Sequence, residues 1–398
     1  MFWSRSGATF FPAVLLAAAL AGTIAACGSA TLKGMDASGG SDGGGTGGTD
    51  GGALGDTAAT DGARDGESSS CGDTTSDGKN CGACGHDCLG GTCAGGQCQP
   101  VLLAQYIGHL LIISVGADAI YSTVDSGYIG RAKKDGSDLR PIARPGFASS
   151  AFTLTFVAED GDRVFFSRAS PTLQLAFCAV SGCDATVMPI GDPSTQYFAV
   201  DQATHRIFWV DYSPSQIWGA SSTGTVVGAA LPGGALAAGS SGSRLFYTGG
   251  GVFIADGTAI VRLPASGGVF AGVTGATSPL KILGANATYL FVYDGTAIGQ
   301  VPLPSGNAGA PKSMITTALV PNVDGRFAAD ETSAYWVNQG VQTCAIANCT
   351  STLKALPSRS IDTVKDLGID DQAIYWGAES PNPDDPSLAA STVWKLAK

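Results

Sequence analysis

Six of the eleven cysteines lie close together in a segment rich in glycine, asparagine and aspartate, within residues 71–98. They are Cys71, Cys81, Cys84, Cys88, Cys93 and Cys98. In an exported chain this density predicts up to three disulfides, and spacing alone does not choose among the pairings that six cysteines allow. A zinc site is the alternative, because Cys81 and Cys84 have ligand spacing and His86 is near. The disulfide interpretation is preferred. The segment would then be a structural element, either a cross-linked staple that stabilises the fold or a spacer.

Two further cysteine pairs have an identical spacing farther along the chain. Cys178 and Cys183 are separated by four residues, and so are Cys344 and Cys349. Each pair flanks a short turn between extended segments, where two cysteines meet disulfide geometry. We therefore predict two local disulfides, with paired metal ligands as the alternative.

Oxygen-bearing side chains follow aromatic segments at five places. These residues are Asp125, Asp211, Asp294, Asn338 and Glu379. Carboxylate and amide oxygens are the ligands that calcium prefers, so these residues are candidates for a rim that holds a cation or a hydroxylated ligand. The alternative is that Asp and Asn begin turns through side-chain hydrogen bonds, which is their commoner use. No cofactor is expected beyond such a cation.

The elements that would position these residues are repeated seven times. The repeat is a short aromatic and β-branched segment, centred on residues 121, 165, 208, 246, 291, 335 and 375. The mean step of about 42 residues is typical of one propeller blade. We therefore predict an all-β fold over residues 99–398, a seven-bladed β-propeller, with six or eight blades as alternatives. Loops after the aromatic segments would then all lie on one face.

The ring also has a predicted closure. The last unit offers only three strands before Lys398, whereas residues 101–104 form an apolar segment ahead of the first unit. We predict that this N-terminal strand completes the C-terminal blade.

The N-terminus is typical of an exported lipoprotein. Arg5 precedes an apolar run over residues 10–21, which is the pattern of a signal peptide over residues 1–26. The following Ile24-Ala25-Ala26-Cys27 resembles a bacterial lipobox, which implies lipidation of Cys27. An ordinary signal peptide is the alternative. Gly28 replaces the aspartate that would suggest inner-membrane retention, so the outer membrane or cell surface is expected, on a side that the sequence does not define.

Residues 27–70 are expected to be a disordered tether behind the lipidated cysteine. Residues 28–70 contain 14 glycines and only Leu32, Met35 and Leu54 as large apolar residues. No core forms from this composition, because too little apolar surface is buried to offset the ordering entropy.

The repeat region resembles bacterial secreted propellers with YWTD-type and TolB-like repeats, and the cysteine segment resembles Cys/Gly-rich modules beside propellers in bacterial surface proteins. The likeness rests on segments such as Ile207-Phe208-Trp209-Val210 and Ile374-Tyr375-Trp376-Gly377. Several units, including units one, two and four, lack the tryptophan, and no catalytic motif accompanies the repeat. The resemblance implies a ring of blades with a central channel and two loop-bearing faces.

Composition narrows the functional classes. The chain has 398 residues, 57 glycines, 14% charged residues and a net charge of −11, which disfavours a helix-rich protein and a nucleic-acid partner. The expected function is a non-enzymatic surface lipoprotein that binds an unidentified protein or glycan and contacts the membrane through its lipid alone. The alternative is a metal-assisted propeller hydrolase or lyase that uses the acidic rim, so enzymatic activity is left open, with the non-enzymatic interpretation preferred.

Overall fold

The computed structural model describes residues 71–398, except 126–127, 144–152, 170–173, 184–187, 191–196, 213–214, 224–225, 227, 236–244, 249–250, 257–258, 265–270, 274–279, 304–311, 317–326, 358–362 and 382–388. The predicted signal peptide, the lipidation site Cys27 and the predicted tether lie outside the described residues. No helix in the described ranges is long and apolar enough to cross a membrane.

Seven antiparallel sheets of four strands each make up the propeller. This confirms the prediction of an all-β fold with seven blades. A two-stranded hairpin, β1 (Cys93–Ala94) and β2 (Gln97–Cys98), precedes the ring. The described helical residues are a 3-10 turn, Ile346–Asn348, and the one-turn helix α1, Cys349–Thr352.

Blades are numbered in chain order, and within each blade the strands pair in sequence from the first to the fourth. Blades one to three comprise β4 (Leu110–Val115), β5 (Ala119–Val124), β6 (Tyr128–Lys133), β7 (Arg140–Ala143); β8 (Thr153–Asp160), β9 (Arg163–Ala169), β10 (Gln174–Ala179), β11 (Met188–Ile190); and β12 (Phe198–Asp201), β13 (Arg206–Tyr212), β14 (Ser215–Ser221), β15 (Ala229–Ala235). Blades four to six comprise β16 (Leu245–Thr248), β17 (Gly251–Asp256), β18 (Ala259–Pro264), β19 (Ala271–Val273); β20 (Lys281–Ala285), β21 (Tyr289–Tyr293), β22 (Ala297–Pro302), β23 (Lys312–Thr316); and β24 (Phe327–Ala329), β25 (Ser333–Val337), β26 (Val341–Ala345), β27 (Lys354–Ala355). Blade seven comprises β28 (Thr363–Ile369), β29 (Ala373–Pro381), β30 (Ala389–Ala397) and, from the N-terminal side, β3 (Val101–Ile107).

The predicted closure is confirmed, because β3 is the fourth strand of blade seven. It pairs antiparallel with β30, from Val101 opposite Lys395 to Ile107 opposite Ala390. Its inward side chains Leu103 and Tyr106 are buried in the seam between blades seven and one. Burial of apolar side chains from both chain ends in one seam therefore holds the ring closed.

The second strand of each blade is buried on both faces, because successive side chains of a strand point to opposite sides. Phe208 of blade three, for example, packs against Val252 and Ile254 of blade four, whereas its neighbours Ile207 and Trp209 pack toward blade two. The same arrangement recurs at all seven seams, with central residues Tyr121, Phe165, Phe208, Phe253, Phe291, Tyr335 and Tyr375.

In one unit of the repeat, the predicted second strand is the first strand of the blade. The segment Leu245–Thr248 is the first strand of blade four, and the second strand is β17, centred on Phe253. Residue 253 therefore replaces 246 in the repeat. Both segments are aromatic and extended, so β propensity does not distinguish an inner strand from its neighbour. The contacts between blades make this distinction.

All ten cysteines of the described region form disulfides, as predicted. The pairs are Cys71–Cys84, Cys81–Cys93, Cys88–Cys98, Cys178–Cys183 and Cys344–Cys349. Residues 71–98, hereafter the Cys module, pack on the ring, because Cys81, Cys88 and Cys98 share a buried cluster with residues of blades six and seven. His86 contributes to this contact, since its Nε2 lies 2.7 Å from the carbonyl oxygen of Lys398. The module is therefore packed against the propeller rather than separated from it.

Candidate functional site

The common strand order of the blades places their connections on two opposite faces. Turns from first to second and from third to fourth strands lie on one face. The Cys module precedes the start of β3 on that side, so we name it the module face. Loops after the second strands lie on the other face, which we name the rim face.

Two of the predicted rim residues contact the same histidine. The backbone N–H of His109 donates to Asp125 Oδ1 at 3.2 Å. Glu379 Oε2 lies 3.4 Å from His109 Nδ1 and 2.8 Å from Lys365 Nζ. The structure thus brings Asp125 and Glu379 to one seam, between blades seven and one, where each already has a protein partner.

The other three rim residues belong to separate blades. Asp294 Oδ1 accepts hydrogen bonds from the backbone N–H groups of Thr296 and Ala297, both at 2.8 Å. Burial alone would raise the pKa of Asp294, but these hydrogen bonds outweigh it and the pKa is lowered. Asp211 is buried within β13, and the backbone of Asn338 closes a tight turn onto Gly340.

The described acidic rim residues do not assemble into a group of three ligands. Among the described His, Cys, Asp and Glu side chains, one trio has its ligand atoms within 4.8 Å of one another, namely Cys81, Cys88 and Cys98. Those sulfurs are disulfide-bonded, which removes the thiolate that zinc requires. The corrected strand of blade four adds one residue that the sequence analysis missed, because β17 ends at Asp256 in the position of the rim.

On the module face, acidic residues close the turns between first and second strands and also connect blades. Asp330 Oδ1 accepts from the backbone N–H groups of Thr332 and Ser333, at 2.9 and 2.8 Å. Its Oδ2 accepts from Tyr335 at 3.2 Å and from Lys398 Nζ, of blade seven, at 2.7 Å. The Asp330 carboxylate therefore stabilises its own turn and also links blade six to blade seven.

Asp370 repeats this arrangement one blade farther on. Its Oδ2 accepts from the hydroxyl of Tyr375 at 2.9 Å and from Lys134 Nζ, of blade one, at 2.8 Å. Burial would raise the pKa of both carboxylates, but the hydrogen bonds outweigh it. The pKa of Asp370 is lowered by Lys134, and the pKa of Asp330 falls to about 2.

The two seams on either side of blade two are also polar. Glu159 accepts from the backbone N–H of Ala117 at 3.0 Å, and burial raises the pKa of this carboxyl. A Cβ at residue 116 would lie 1.7 Å from Glu159 Oε2, so Gly116 makes the contact sterically possible. In the next seam, Asp160 accepts from Ser222 and lies 3.0 Å from His205 Nδ1. These carboxylates join blades rather than facing a common ligand.

We expect Asp330→Asn to lower the free energy of unfolding by about 1–2 kcal/mol at pH 7, because one charge-assisted bond between blades is lost. The folded pKa of Asp330, about 2, lies below the ordinary unfolded value. Its contribution is therefore complete above about pH 4 and disappears as the pH falls through 2. Urea unfolding at pH 7 and pH 2 measures the difference, with the exposed Asp371→Asn as control. If Asp330→Asn lowered the free energy of unfolding by the same amount at pH 7 and at pH 2, the proposed ion pair between Asp330 and Lys398 would be contradicted.

Beside the packed contact between the Cys module and the ring, a cleft is lined by residues of the Cys module and of blades six and seven. Its volume is about 700 Å³. The lining includes the hairpin at residues 96–98 and the segment 354–357, and Ile374, Leu396 and Ala397 provide apolar surface. The sequence analysis missed this cleft, because no local pattern indicates how the Cys module packs on the ring.

Comparison with known proteins shows the fold. No family model matches the chain, and no curated protein matches it. The WD40 domain of Neurospora crassa Pan2 is similar in structure, with a TM-score of 0.51 and 13% identity over 75% of this chain and 95% of that one. YCF48 from Cyanidioschyzon merolae has a TM-score of 0.51 and 11% identity, over 75% and 98% of the two chains. A structure of YCF48 bound to D1 peptide has a TM-score of 0.50 and 10% identity, over 75% and 94%. At these identities the similarity is one of fold, that of a β-propeller.

Proposed function

We propose that this protein is a non-enzymatic lipoprotein of the cell envelope whose propeller binds a partner protein or a glycan. The observation that carries the proposal is the use of the acidic side chains. Glu159, Asp294, Asp330 and Asp370 each accept hydrogen bonds from a turn or a neighbouring blade. Groups engaged in this way make the ring rigid, and a rigid surface binds a partner with little ordering cost.

The comparison structures support the binding part of this proposal by analogy of fold. WD40-like propellers provide a scaffold for protein binding, and one similar structure is YCF48 bound to D1 peptide. Because a fold does not determine a function, the argument for binding must come from a surface of this chain. The cleft beside the Cys module is such a surface, since its volume is within the range of ligand sites.

The envelope location is proposed from the N-terminal sequence. Residues 24–27 resemble a lipobox, and residues 28–70 would hold the folded part away from the lipid surface. A diacylated and N-acylated cysteine carries more than one fatty acyl chain, which stable anchoring in a membrane requires.

Expression in a bacterial host with labelled palmitate tests the anchor. We expect label on the wild-type chain and none on Cys27→Ala, because the thiol is the acylation site. The matched control is Cys71→Ala, which removes a different cysteine and should keep the label. Label retained by Cys27→Ala, or absent from the wild type, contradicts the lipoprotein proposal.

Binding is tested separately by screening the full chain against a random dodecapeptide display library and a glycan array. Saturable binding to either, competed by the free compound, is the expected result. Absence of binding to both contradicts the proposed function.

A further inference from the structure

The cleft beside the Cys module has a strand edge on one wall. The fourth strand of blade six, β27, is only two residues long, and both residues are exposed. Gln342 lies opposite Ala355, and the backbone N–H of Leu356 donates to the carbonyl oxygen of Val341 at 2.8 Å. Antiparallel strands alternate between hydrogen-bonded and non-hydrogen-bonded pairs. Since Leu356 is in a bonded pair, the N–H and C=O groups of Ala355 point away from β26.

Ala355 lines the cleft and is therefore accessible to a ligand. An outward N–H and C=O on one residue form the unit to which an added strand pairs. Three other outer strands contain a proline, namely Pro141 in β7, Pro189 in β11 and Pro232 in β15, whereas β3, β19, β23 and β27 contain none. Proline lacks the N–H that strand addition uses. The outer strand of blade six has no proline before Pro357, just beyond its end.

The charges of the cleft indicate the chemistry of the added strand. Lys398 Nζ lies 2.7 Å from Asp330 Oδ2, so these two charges pair. Among the other described lysine, aspartate and glutamate residues that line the cleft, two are acidic, Glu331 and Asp371, and one is basic, Lys354. Glu331 accepts hydrogen bonds from the backbone N–H of Ala287 and the hydroxyl of Thr288, both of which are neutral donors. The lining thus favours a ligand with a basic side chain, while Ile374 and Leu396 provide apolar contact.

We propose that this cleft binds an extended peptide segment of a partner protein, which adds to β27 as a strand and places a lysine or arginine against Glu331 and Asp371. The inference rests on the proposed binding function and names its ligand class. Main-chain hydrogen bonds to Ala355 give the affinity, and the carboxylates select the basic residue.

The test uses the full chain and peptides recovered from the dodecapeptide display library. Peptides that bind the wild type are synthesised, and their Kd values are measured by fluorescence anisotropy. We expect the selected peptides to carry a basic residue. Ala355→Pro removes the outward N–H without removing a bond to β26, so it should weaken binding at least tenfold. Ala355→Ser keeps the N–H and is the matched control, with a Kd within twofold of the wild type.

Two further measurements keep the proposal falsifiable if the proline variant does not fold. Asp371→Asn should weaken binding of a peptide with a basic residue threefold or more and leave a peptide with that residue replaced by glutamine unaffected. Hydrogen exchange of the wild type should show the Ala355 amide protected when peptide is present.

The outcomes separate this inference from the proposed function. Peptides that bind Ala355→Pro as tightly as the wild type and leave the Ala355 amide unprotected overturn the cleft proposal but not the function. Binding to glycans alone does the same. Absence of any peptide or glycan ligand overturns both.

Discussion

Deletion of residues 101–107 is expected to abolish cooperative folding of the ring, whereas deletion of residues 28–70 leaves its melting temperature within about 2 °C of the wild type. The first deletion removes β3, with the buried side chains of Leu103 and Tyr106, and exposes the edge of β30. Each buried side chain contributes about 1.5–3 kcal/mol, and the ladder of backbone hydrogen bonds is lost with it. The sum reaches the whole stability of a typical domain, about 5–15 kcal/mol.

Differential scanning calorimetry of both deletion variants and the wild type measures this contrast. The shorter deletion has a second effect, since Tyr106 also packs over Gly130 of blade one, where a Cβ would lie 2.6 Å from the tyrosine ring. A single sharp transition at the wild-type temperature after loss of residues 101–107 would show that the ring closes without β3.

The second expected result concerns the position of blade four in the repeat. Phe253→Ala is expected to lower the free energy of unfolding by about 3–5 kcal/mol, because Phe253 is buried in one cluster with Leu290 and Val292 of blade five. Phe246→Ala is expected to cost about 1–2 kcal/mol, since Phe246 is only partly buried. The two substitutions delete identical atoms, so each serves as the control for the other.

Urea unfolding followed by intrinsic fluorescence gives both free energies. Equal losses, or a larger loss at Phe246, would restore the original register of the repeat and contradict the described blade four. The comparison is informative because both residues lie in extended aromatic segments that sequence propensity treats alike.

Most of the fold is predictable from the sequence because its signals are local and repeated. Segments such as those at Phe208 and Tyr375 alternate inward and outward side chains, and their spacing indicates blades. Closure by β3 is also predictable, because the last unit lacks one strand and residues 101–104 supply it. The prediction for blade four was wrong because only contacts with neighbouring blades distinguish its second strand from its first.

The candidate site is less predictable, since it depends on long-range packing. Asp330 closes a turn through local hydrogen bonds, a common use of Asp, but its contact with Lys398 spans 68 residues of chain. Asp160 and His205 are 45 residues apart and meet only across a seam. The cleft requires the Cys module to pack on blades six and seven, and no periodic pattern encodes this contact. Local turn chemistry was therefore visible in the sequence, while its role between blades was not.

The pairing of β3 with β30 has a consequence for biogenesis. Val101 and its partner Lys395 are 294 residues apart, so at about 5–20 residues per second β3 is synthesised roughly 15–60 s before its partner. During that interval a strand with apolar side chains has no sheet to join. The ring therefore cannot close before β30 has been synthesised, and a contact of such long range makes this step slow. Under the proposed export, a chain that stays open until β30 is made can pass through a narrow channel before it folds.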